Sequence, residues 1–476
     1  MPPYFIETEA TYPAMMHGRL TTVSRNFPIL LLLLDGVLVA SMIMLAYVLR
    51  VGWPVVTPSL VLNAMVPGLV IFLVLYTING YARDRSFDGG GYAIEHLAAI
   101  AVAYLLSLAI NGFFNIEALG AVESRAAGIL GFVMAGGATL FARRSLGRIV
   151  RDQLRSKTLC VLGDAQQVRQ LLESLRDAGE TRKVVALVLN QSDGVFPDGF
   201  DVRFMSDPTE AIAELPASCD EIVVAEDYRR FDQAFVGLLV SRYLRGMTVF
   251  AIDRFYEHRF NRVWLPSVTH SWLLDGELVL RRGIAWARIK RLFDLIVALT
   301  MLVVLGPAMI VVGLLIALEA RGPIIFRQRR MGMDGILFII FKFRTMETGS
   351  ENGRPYTDEN DARVTRFGAF IRRRRIDELP QLWNVIRGNM SLVGPRAASV
   401  DLVEAYQAEI PFYHFRHVLR PGVTGLAQIR QGYAASPADA MRKLEYDLYY
   451  VRHYNILWDI RIMLRTLHVI IRGDGR

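Results

Sequence analysis

The chain has 476 residues, room for two or three domains, and 53% of them are hydrophobic, giving a mean hydropathy of +0.29 that is high for a soluble protein. Its net charge of +8 gathers in clusters beside apolar stretches, which suits an anionic membrane surface; no nucleic-acid motif accompanies it, so no nucleic-acid partner is expected. Only Cys160 and Cys219 are available for thiol chemistry, too few and too far apart in sequence for a disulfide framework or a cysteine metal site, and both are expected to be reduced.

Four apolar segments fill the first third, at about 28–48, 59–78, 94–114 and 126–141. Each is near the length of about 20 residues that spans a bilayer. The first is too long for a signal peptide and has no cleavage pattern, so it reads as an anchor. Arginines flank the bundle at Arg19 and Arg25, at Arg83 and Arg85, and from Arg143 to Arg155, whereas the loop after the third segment carries Glu117 and Glu123 with only Arg125. The excess of basic residues marks the cytoplasmic side, so both ends of the bundle are expected there. The segments are apolar all round, which argues against a soluble four-helix core. Four short helices also offer a surface for a homodimer.

From 157 to about 255 the pattern changes to apolar strand-like runs (158–162, 184–189, 221–225, 247–252) alternating with helix-like ones. This βαβ rhythm predicts a parallel, Rossmann-like sheet. A dinucleotide site wants G-x-G-x-x-G after the first strand, but Gly163 is the one glycine in the turn Gly163-Asp164-Ala165-Gln166-Gln167. Pyrophosphate binding is therefore not expected, with a regulatory nucleotide site as the alternative. Residues 256–289 read as a linker containing Arg281, Arg282 and Arg288.

A fifth apolar stretch, 292–317, is also long enough to span. Gly306-Pro307 lies near its middle, where proline interrupts the helical hydrogen-bond ladder. Basic residues crowd both flanks: Lys290 and Arg291 before, Arg321, Arg327, Arg329 and Arg330 after. Two basic flanks suggest that both ends face the cytoplasm, so the segment would enter one leaflet, bend and return. Asp294 sits inside its apolar edge, on the same helix face as Lys290 and Arg291. It either orients these cations toward an anionic lipid headgroup or forms a local ion pair with them.

The stretch 372–396, RRRRIDELPQLWNVIRGNMSLVGPR, places four arginines before Asp377 and Glu378. Leu379, Leu382, Trp383 and Ile386 fall at helical spacing, and Pro380 requires that helix to begin near Asp377, with Gly388 as its stop. Asp377 is thus expected at or near an N-cap, where it stays ionised. Helix N-termini and arginines also bind phosphate. Neither a P-loop nor a His/Cys zinc cluster is present. His414, His417, His453 and His468 have no partners at catalytic spacing. Residues 444–471 mix aromatics, leucines and arginines, suggesting a helix along the membrane surface, with Tyr446, Tyr449, Tyr450 and Tyr454 as packing residues.

KRLFD (290–294), GPIIFRQRRMG (322–332), FKFRTM (341–346), DELPQLWNV (377–385), MSLVGPR (390–396), RPGVTGLAQ (420–428) and EYDLYYV (445–451) occur in that order. Over roughly the last 190 residues the chain resembles the bacterial sugar transferases, the monotopic phosphoglycosyl transferases that load a sugar phosphate onto a polyprenyl phosphate. Ala397 stands where the family usually has proline, and Gly306 where serine is common. The resemblance implies a membrane α-helical bundle (1–145), a Rossmann-like α/β cytoplasmic domain (146–255), a linker (256–289) and a mainly α (α+β) monotopic catalytic domain with a re-entrant membrane helix (290–476). It implies a multi-pass protein of the bacterial inner membrane with its catalytic domain on the cytoplasmic face. The implied reaction moves hexose-1-phosphate, glucose first and galactose second, from a UDP-sugar to undecaprenyl phosphate and releases UMP. It would initiate exopolysaccharide, capsule or O-antigen synthesis. Asp377 would be the nucleophile and Glu378 a Mg²⁺ ligand. Lys342, Arg344, Arg375, Arg396 and Arg420 would bind the nucleotide sugar; Lys290, Arg291 and Asp294 would serve the polyprenyl phosphate; and Gly306-Pro307 would break the helix. All these motifs follow Arg281, so residues 281–476 are expected to suffice for activity. The other readings are a non-catalytic membrane scaffold and a sugar-nucleotide oxidoreductase using residues 157–255, the latter opposed by the missing glycines and Y-x-x-x-K pair.

Overall fold

The computed structural model describes residues 27–52, 58–78, 80–81, 87–114, 125–155, 157–189, 195–216, 218–226, 231–268, 283–319, 322–347, 363–431 and 437–472. They form two compact units, Met1–Ser156 and Lys157–Arg476. The flanking charges at Arg19, Arg25, Arg83, Arg85, Glu117, Glu123, Arg281, Arg282 and Arg321 lie outside the described residues.

The first unit contains α1 (Phe27–Val51), α2 (Pro58–Thr77), α3 (Gly90–Phe114) and α4 (Arg125–Arg155). Its polarity is inverted relative to a soluble bundle. Leucines and valines such as Leu33, Val37, Leu69 and Val133 face outward, while Asp35, Glu95, His96, Thr139 and Arg143 are buried. Asp35 receives both ends of the Arg143 guanidinium, at 2.8 and 2.6 Å, and the Tyr81 hydroxyl at 2.7 Å. His96 joins Thr139 Oγ1 and the Gly136 carbonyl, at 3.0 and 3.2 Å. Water cannot satisfy such groups within a bilayer, so neighbouring helices must. Helices α1, α3 and α4 contain runs long and apolar enough to cross a membrane.

The second unit begins with a five-stranded, all-parallel sheet of order β3-β2-β1-β4-β5. Its strands are β1 (Thr158–Asp164), β2 (Lys183–Leu189), β3 (Asp201–Met205), β4 (Cys219–Ala225) and β5 (Thr248–Ala251). Alternation along β1 sends Leu159 and Val161 to one core and Cys160 and Leu162 to the other. The helices α5 (Ala165–Asp177) and α8 (Ile252–Phe260) cover one face; α6 (Pro208–Ala213) and α7 (Gln233–Leu244) cover the other. Gly163 is needed for strand packing: a Cβ there would stand 2.8 Å from Ala225. The Asp164 carboxylate caps α5 by accepting from Gln166 N at 3.1 Å, occupying the helix N-terminus that a pyrophosphate would use.

The described part of the expected linker contains the end of α8 and a packed segment. Val263 and Val268 are buried in the hydrophobic core of the C-terminal domain. That domain opens with α9 (Ile284–Glu319), a helix that runs through Gly306-Pro307. There follow an antiparallel hairpin, β6 (Ile325–Met331) and β7 (Leu337–Phe343), then α10 (Arg366–Arg373) and α11 (Gln381–Arg387). The strands β8 (Ser391–Val393) and β9 (Gly422–Thr424) pair in parallel, with α12 (Val400–Glu409) between them and α13 (Leu426–Arg430), α14 (Pro437–His453) and α15 (Ile456–Arg472) after.

Both ends of α9 seat on this domain. Ala298 is buried in its main core, and Ile316 packs with Phe343 and Ile371. Between them Val303, Val304 and Ile310 are exposed. The 444–471 region is a pair of helices broken at Tyr454-Asn455, with Asn455 Oδ1 capping α15 at Trp458 N, 2.8 Å away. Leu444, Leu448, Tyr449, Tyr450 and Tyr454 are core residues, so α14 is interior packing rather than a surface helix; Leu457 and Leu467 of α15 are exposed.

Candidate active site

The β6–β7 hairpin sets one wall. Its register pairs Phe326 with Lys342, Gln328 with Ile340 and Arg330 with Phe338. Directly paired residues share a face, so Arg330, Ile340 and Lys342 project together. Arg330 was not singled out from sequence as a site residue. The signal was there, because two-residue alternation carries it onto the Lys342 face once the hairpin pairing is known.

The second wall is the turn between α10 and α11. Arg375 adopts φ 52°, ψ 22°, a left-handed conformation that costs a non-glycine residue on the order of 1–3 kcal/mol. The chain reverses there into a 3-10 turn, Ile376–Glu378, held by Glu378 N donating to the Arg375 carbonyl at 3.2 Å. Pro380 is the N-cap of α11 and Gly388, at φ 88°, is its stop. The expected N-cap position of Asp377 is thus corrected: Pro380 cannot extend the ladder backward, so Asp377 precedes the helix within the tighter turn. Lys342, Arg372 and Arg396, rather than a helix end, supply the positive charge that acts on its carboxylate.

The third wall is the crossing of β8 and β9. A Cβ on Gly394 would approach the Arg420 carbonyl to 2.3 Å, and one on Gly422 would approach Gly394 N to 2.1 Å. Glycine alone allows these backbones to touch. The turn delivers Arg396 Nη2 to Glu378 Oε1 at 2.8 Å. Lys342 Nζ lies 3.2 Å from the same oxygen, and Arg375 Nη1 lies 3.7 Å from Oε2. A cleft of about 240 Å³, counting its open mouth, is lined by Glu378, Lys342, Arg330 and Arg396, with Ile340 and Met390 as apolar surface. Ala397 also lines it, and its carbonyl accepts from Arg330 at 3.3 Å. Asp377 is not a lining residue, but its charge feels Lys342, Glu378, Arg372 and Arg396.

The two adjacent carboxylates are made unlike by these surroundings. Arg396, Lys342 and Arg375 outweigh burial at Glu378 and hold it far below the usual carboxylate range. At Asp377 burial dominates, opposed by Lys342 and reinforced by Glu378, and pushes the pKa up to about 6. Burial also lowers Lys342, and brings Arg330 down to about 10. Lys342, Arg330, Arg375 and Arg396 against Asp377 and Glu378 leave a net charge of +2, which favours an anionic ligand. Glu378 is an ion-pair hub; Asp377 is the less stabilised and therefore the more basic carboxylate of the two.

The remaining expected site residues have other contacts. Arg344 follows β7 and reaches the Ile316 carbonyl at 3.5 Å. Arg291 donates to the Val385 and Ile386 carbonyls, capping the C-terminus of α11, and burial, helped by the nearby charge of Arg420, lowers its pKa. Lys290 Nζ donates to Asp294 Oδ1 at 2.7 Å and to Ser391 Oγ at 2.6 Å, and forms an ion pair with Asp459 Oδ2 at 2.9 Å. Tyr450 adds a hydroxyl to Asp459 Oδ1 at 2.6 Å. One lysine between two aspartates is net negative, and its ammonium is already paired. This arrangement is a buried clamp joining α9, β8 and α15, the local ion-pair alternative for Asp294. Gly306 and Pro307 stay helical within α9. His417 is pushed down to about 4 by burial, and His453 pairs with Glu257.

The family model for bacterial sugar transferases matches residues 285–473. An exopolysaccharide production protein, PSS, of Rhizobium leguminosarum bv. phaseoli is 43% identical over 195 residues, 39% of this chain and 98% of that protein. The chain belongs to the bacterial sugar transferase family. Among other relatives, the UDP-N-acetylgalactosamine-undecaprenyl-phosphate N-acetylgalactosaminephosphotransferase of Aeromonas hydrophila is 42% identical over 191 residues, 40% of this chain and 45% of that protein. The UDP-glucose:undecaprenyl-phosphate glucose-1-phosphate transferase of Escherichia coli (strain K12) is 40% identical over 183 residues, 38% of this chain and 39% of that protein. The chain thus matches less than half the length of these two transferases. All the residues of the +2 cluster lie inside the family region.

Proposed function

We propose that this protein transfers a sugar 1-phosphate from a UDP-sugar to undecaprenyl phosphate, releasing UMP, at a membrane surface. The observation that carries the reading is the +2 cluster around Glu378, adjoining a carboxylate whose pKa is raised to about 6. A nucleotide diphosphate brings the opposite charge, and arginines match its oxygens with paired donors. The relatives named for undecaprenyl-phosphate transfer support the donor and acceptor classes. Glucose is our first donor and galactose our second; the Aeromonas relative makes N-acetylgalactosamine a third.

Asp377 attacks the phosphorus that carries the sugar. An Asp377 O–P bond forms, the P–O bond to UMP breaks, and UMP leaves with the bridging oxygen. A phosphate oxygen of undecaprenyl phosphate then attacks the same phosphorus and displaces the aspartate. Arg396, Lys342 and Arg330 hold the phosphate oxygens and offset the charge that builds on the leaving UMP. Mg²⁺ is held by one or two carboxylates together with substrate phosphates. Glu378 Oε2, whose ion contact is the longer one, and the Asp377 carboxylate are oxygens of that kind. When bound, the cation would neutralise phosphate charge.

The two seated ends of α9, with exposed valines between them, support a helix that enters one leaflet and returns, bending at Gly306-Pro307. A straight crossing would carry Ile316, and with it Phe343 next to Lys342, about 27 Å from Ala298 at 1.5 Å per residue. Helices α1 to α4 would anchor the protein in the bacterial inner membrane, with the catalytic domain on the cytoplasmic face.

A panel of UDP-sugars, assayed for UMP release with and without undecaprenyl phosphate, tests the reading. One UMP per enzyme should appear before lipid is added, with a hexose phosphate adduct on the peptide containing Asp377. Active enzyme without that burst or adduct would replace the two-step route by direct displacement. No UMP from any donor would overturn the transferase assignment.

A further inference from the structure

Arg416 is buried, lies outside the cleft, and has no part in the proposed reaction. Its Nη2 donates to the Arg396 backbone carbonyl at 3.1 Å and pairs with Asp447 Oδ2 at 2.7 Å; its Nη1 donates to the Tyr413 hydroxyl. Burying an arginine and an aspartate is costly unless the geometry is well satisfied. A hydrophobic pair of similar volume would fill the space without that cost. The arrangement does something such a pair could not: it fixes one particular carbonyl, that of the residue whose guanidinium reaches Glu378. The Arg396 backbone bridges Gly422, while its side chain is 46% exposed and leaves the tight Gly394-Pro395 turn on the cleft side, so the carbonyl contact adds a second hold close to the base of that side chain.

We infer that Arg416, anchored by Asp447 on α14, is a positioning residue that sets Arg396 for contact with the donor's phosphates. The inference rests on the proposed function for the identity of the ligand, but the geometry is independent of any transfer step. The anchor is itself restrained. Two residues before Asp447, Glu445 pairs with Arg262 at 3.3 Å and its carbonyl accepts Val263 N at 3.2 Å. The helix that holds Arg416 is thus tied to the end of the α/β domain.

A double-mutant cycle on the full chain in detergent tests this, with UDP as the binding probe in calorimetry and UMP release as the second readout. Arg416→Lys keeps the charge but loses the forked donor, and should weaken UDP binding about tenfold. Arg396→Ala should weaken it at least as much. Arg416→Lys added to Arg396→Ala should then change UDP affinity by less than twofold, because the residue it positions is gone. Tyr413→Phe removes one hydroxyl and should give a smaller effect with the same dependence on Arg396, serving where Arg416→Lys folds poorly. Multiplying effects in the double variant, or a lowered melting temperature with unchanged UDP affinity, would reduce Arg416 to packing and overturn the inference. UDP binding without sugar phosphate transfer would instead overturn the functional reading and leave the positioning role standing. Failure of the unaltered protein to bind UDP would overturn both.

Discussion

Asp377→Asn should abolish UMP release and at the same time stabilise the protein. The folded chain raises this carboxyl from 3.8 to about 6, chiefly by burial and net of its attraction to Lys342, Arg372 and Arg396. At about 1.36 kcal/mol per pH unit this is about 3 kcal/mol of cost in the ionised form. Partial solvent access reduces it to about 1–2 kcal/mol. The sign follows from linkage. A raised folded pKa means that the native state binds more protons between pH 3.8 and about 6, so the cost is absent below the first value and complete above the second. Asparagine carries no charge at any pH and escapes it. For a domain of this size, 1–2 kcal/mol corresponds to about 2–8 °C in melting temperature. Thermal unfolding of the full chain in detergent at pH 8 and pH 4.5 should show the variant melting higher at pH 8, with the gain shrinking at pH 4.5. The same ionisation sets catalysis, so the UMP burst of the unaltered enzyme should fall as pH drops through about 6. A variant that melts lower at pH 8, or a gain independent of pH, would show that Asp377 is held by its cations and not strained by burial.

Glu378→Gln removes the anion shared by Lys342, Arg396 and Arg375 and should cost about 3–5 kcal/mol; UDP should raise its melting temperature more than that of the unaltered protein by returning negative charge. A chain shortened to residues 281–476 loses Val263 and Val268 from its core and strips partners from Glu445, Arg452 and His453. Two buried valines alone are worth about 3–6 kcal/mol. The shortened chain should therefore be cleaved by protease faster than one that begins before Ile252, while equal resistance would restore the modular expectation. Cysteines placed at positions 288 and 321, in a chain lacking Cys160 and Cys219, should both resist a membrane-impermeant reagent added outside intact cells; labelling at 321 alone would mean that α9 crosses.

Much of the architecture could be read from local pattern. The apolar runs appear as α1 to α4, and the βαβ rhythm appears as a doubly wound sheet, because both signals repeat within a few residues. Of the expected substrate-binding residues, Lys342, Arg375 and Arg396 gather around Glu378 beside Asp377, whereas Arg344 and Arg420 have other neighbours. What stayed hidden depends on contacts distant in sequence. Arg330 joins the cluster through hairpin register, and Arg416 through a backbone carbonyl twenty residues away. The contacts of Lys290 with Ser391 and Asp459 are equally hidden, because both partners lie far along the chain. The linker reading of 256–268 failed to foresee packing because a short apolar segment such as Val263 to Val268 has no periodicity of its own.

The Asp35–Arg143 clamp bears on how the protein is made. Helix α1 leaves the ribosome with Asp35 already in it, and its partner follows 108 residues later. A lone aspartate at mid-helix costs about 2.5–3.5 kcal/mol on insertion, which the apolar remainder of α1 can outweigh. Until α4 arrives, α1 therefore sits in the membrane as an incomplete piece with an unmet charge on one face. The Tyr81 hydroxyl can donate to that carboxylate before α4 is made, but the opposite charge comes with Arg143 of α4. The Asp35–Arg143 pair thus ties the first helix of the unit to the last, so the two must be present together for either charge to be met by the other.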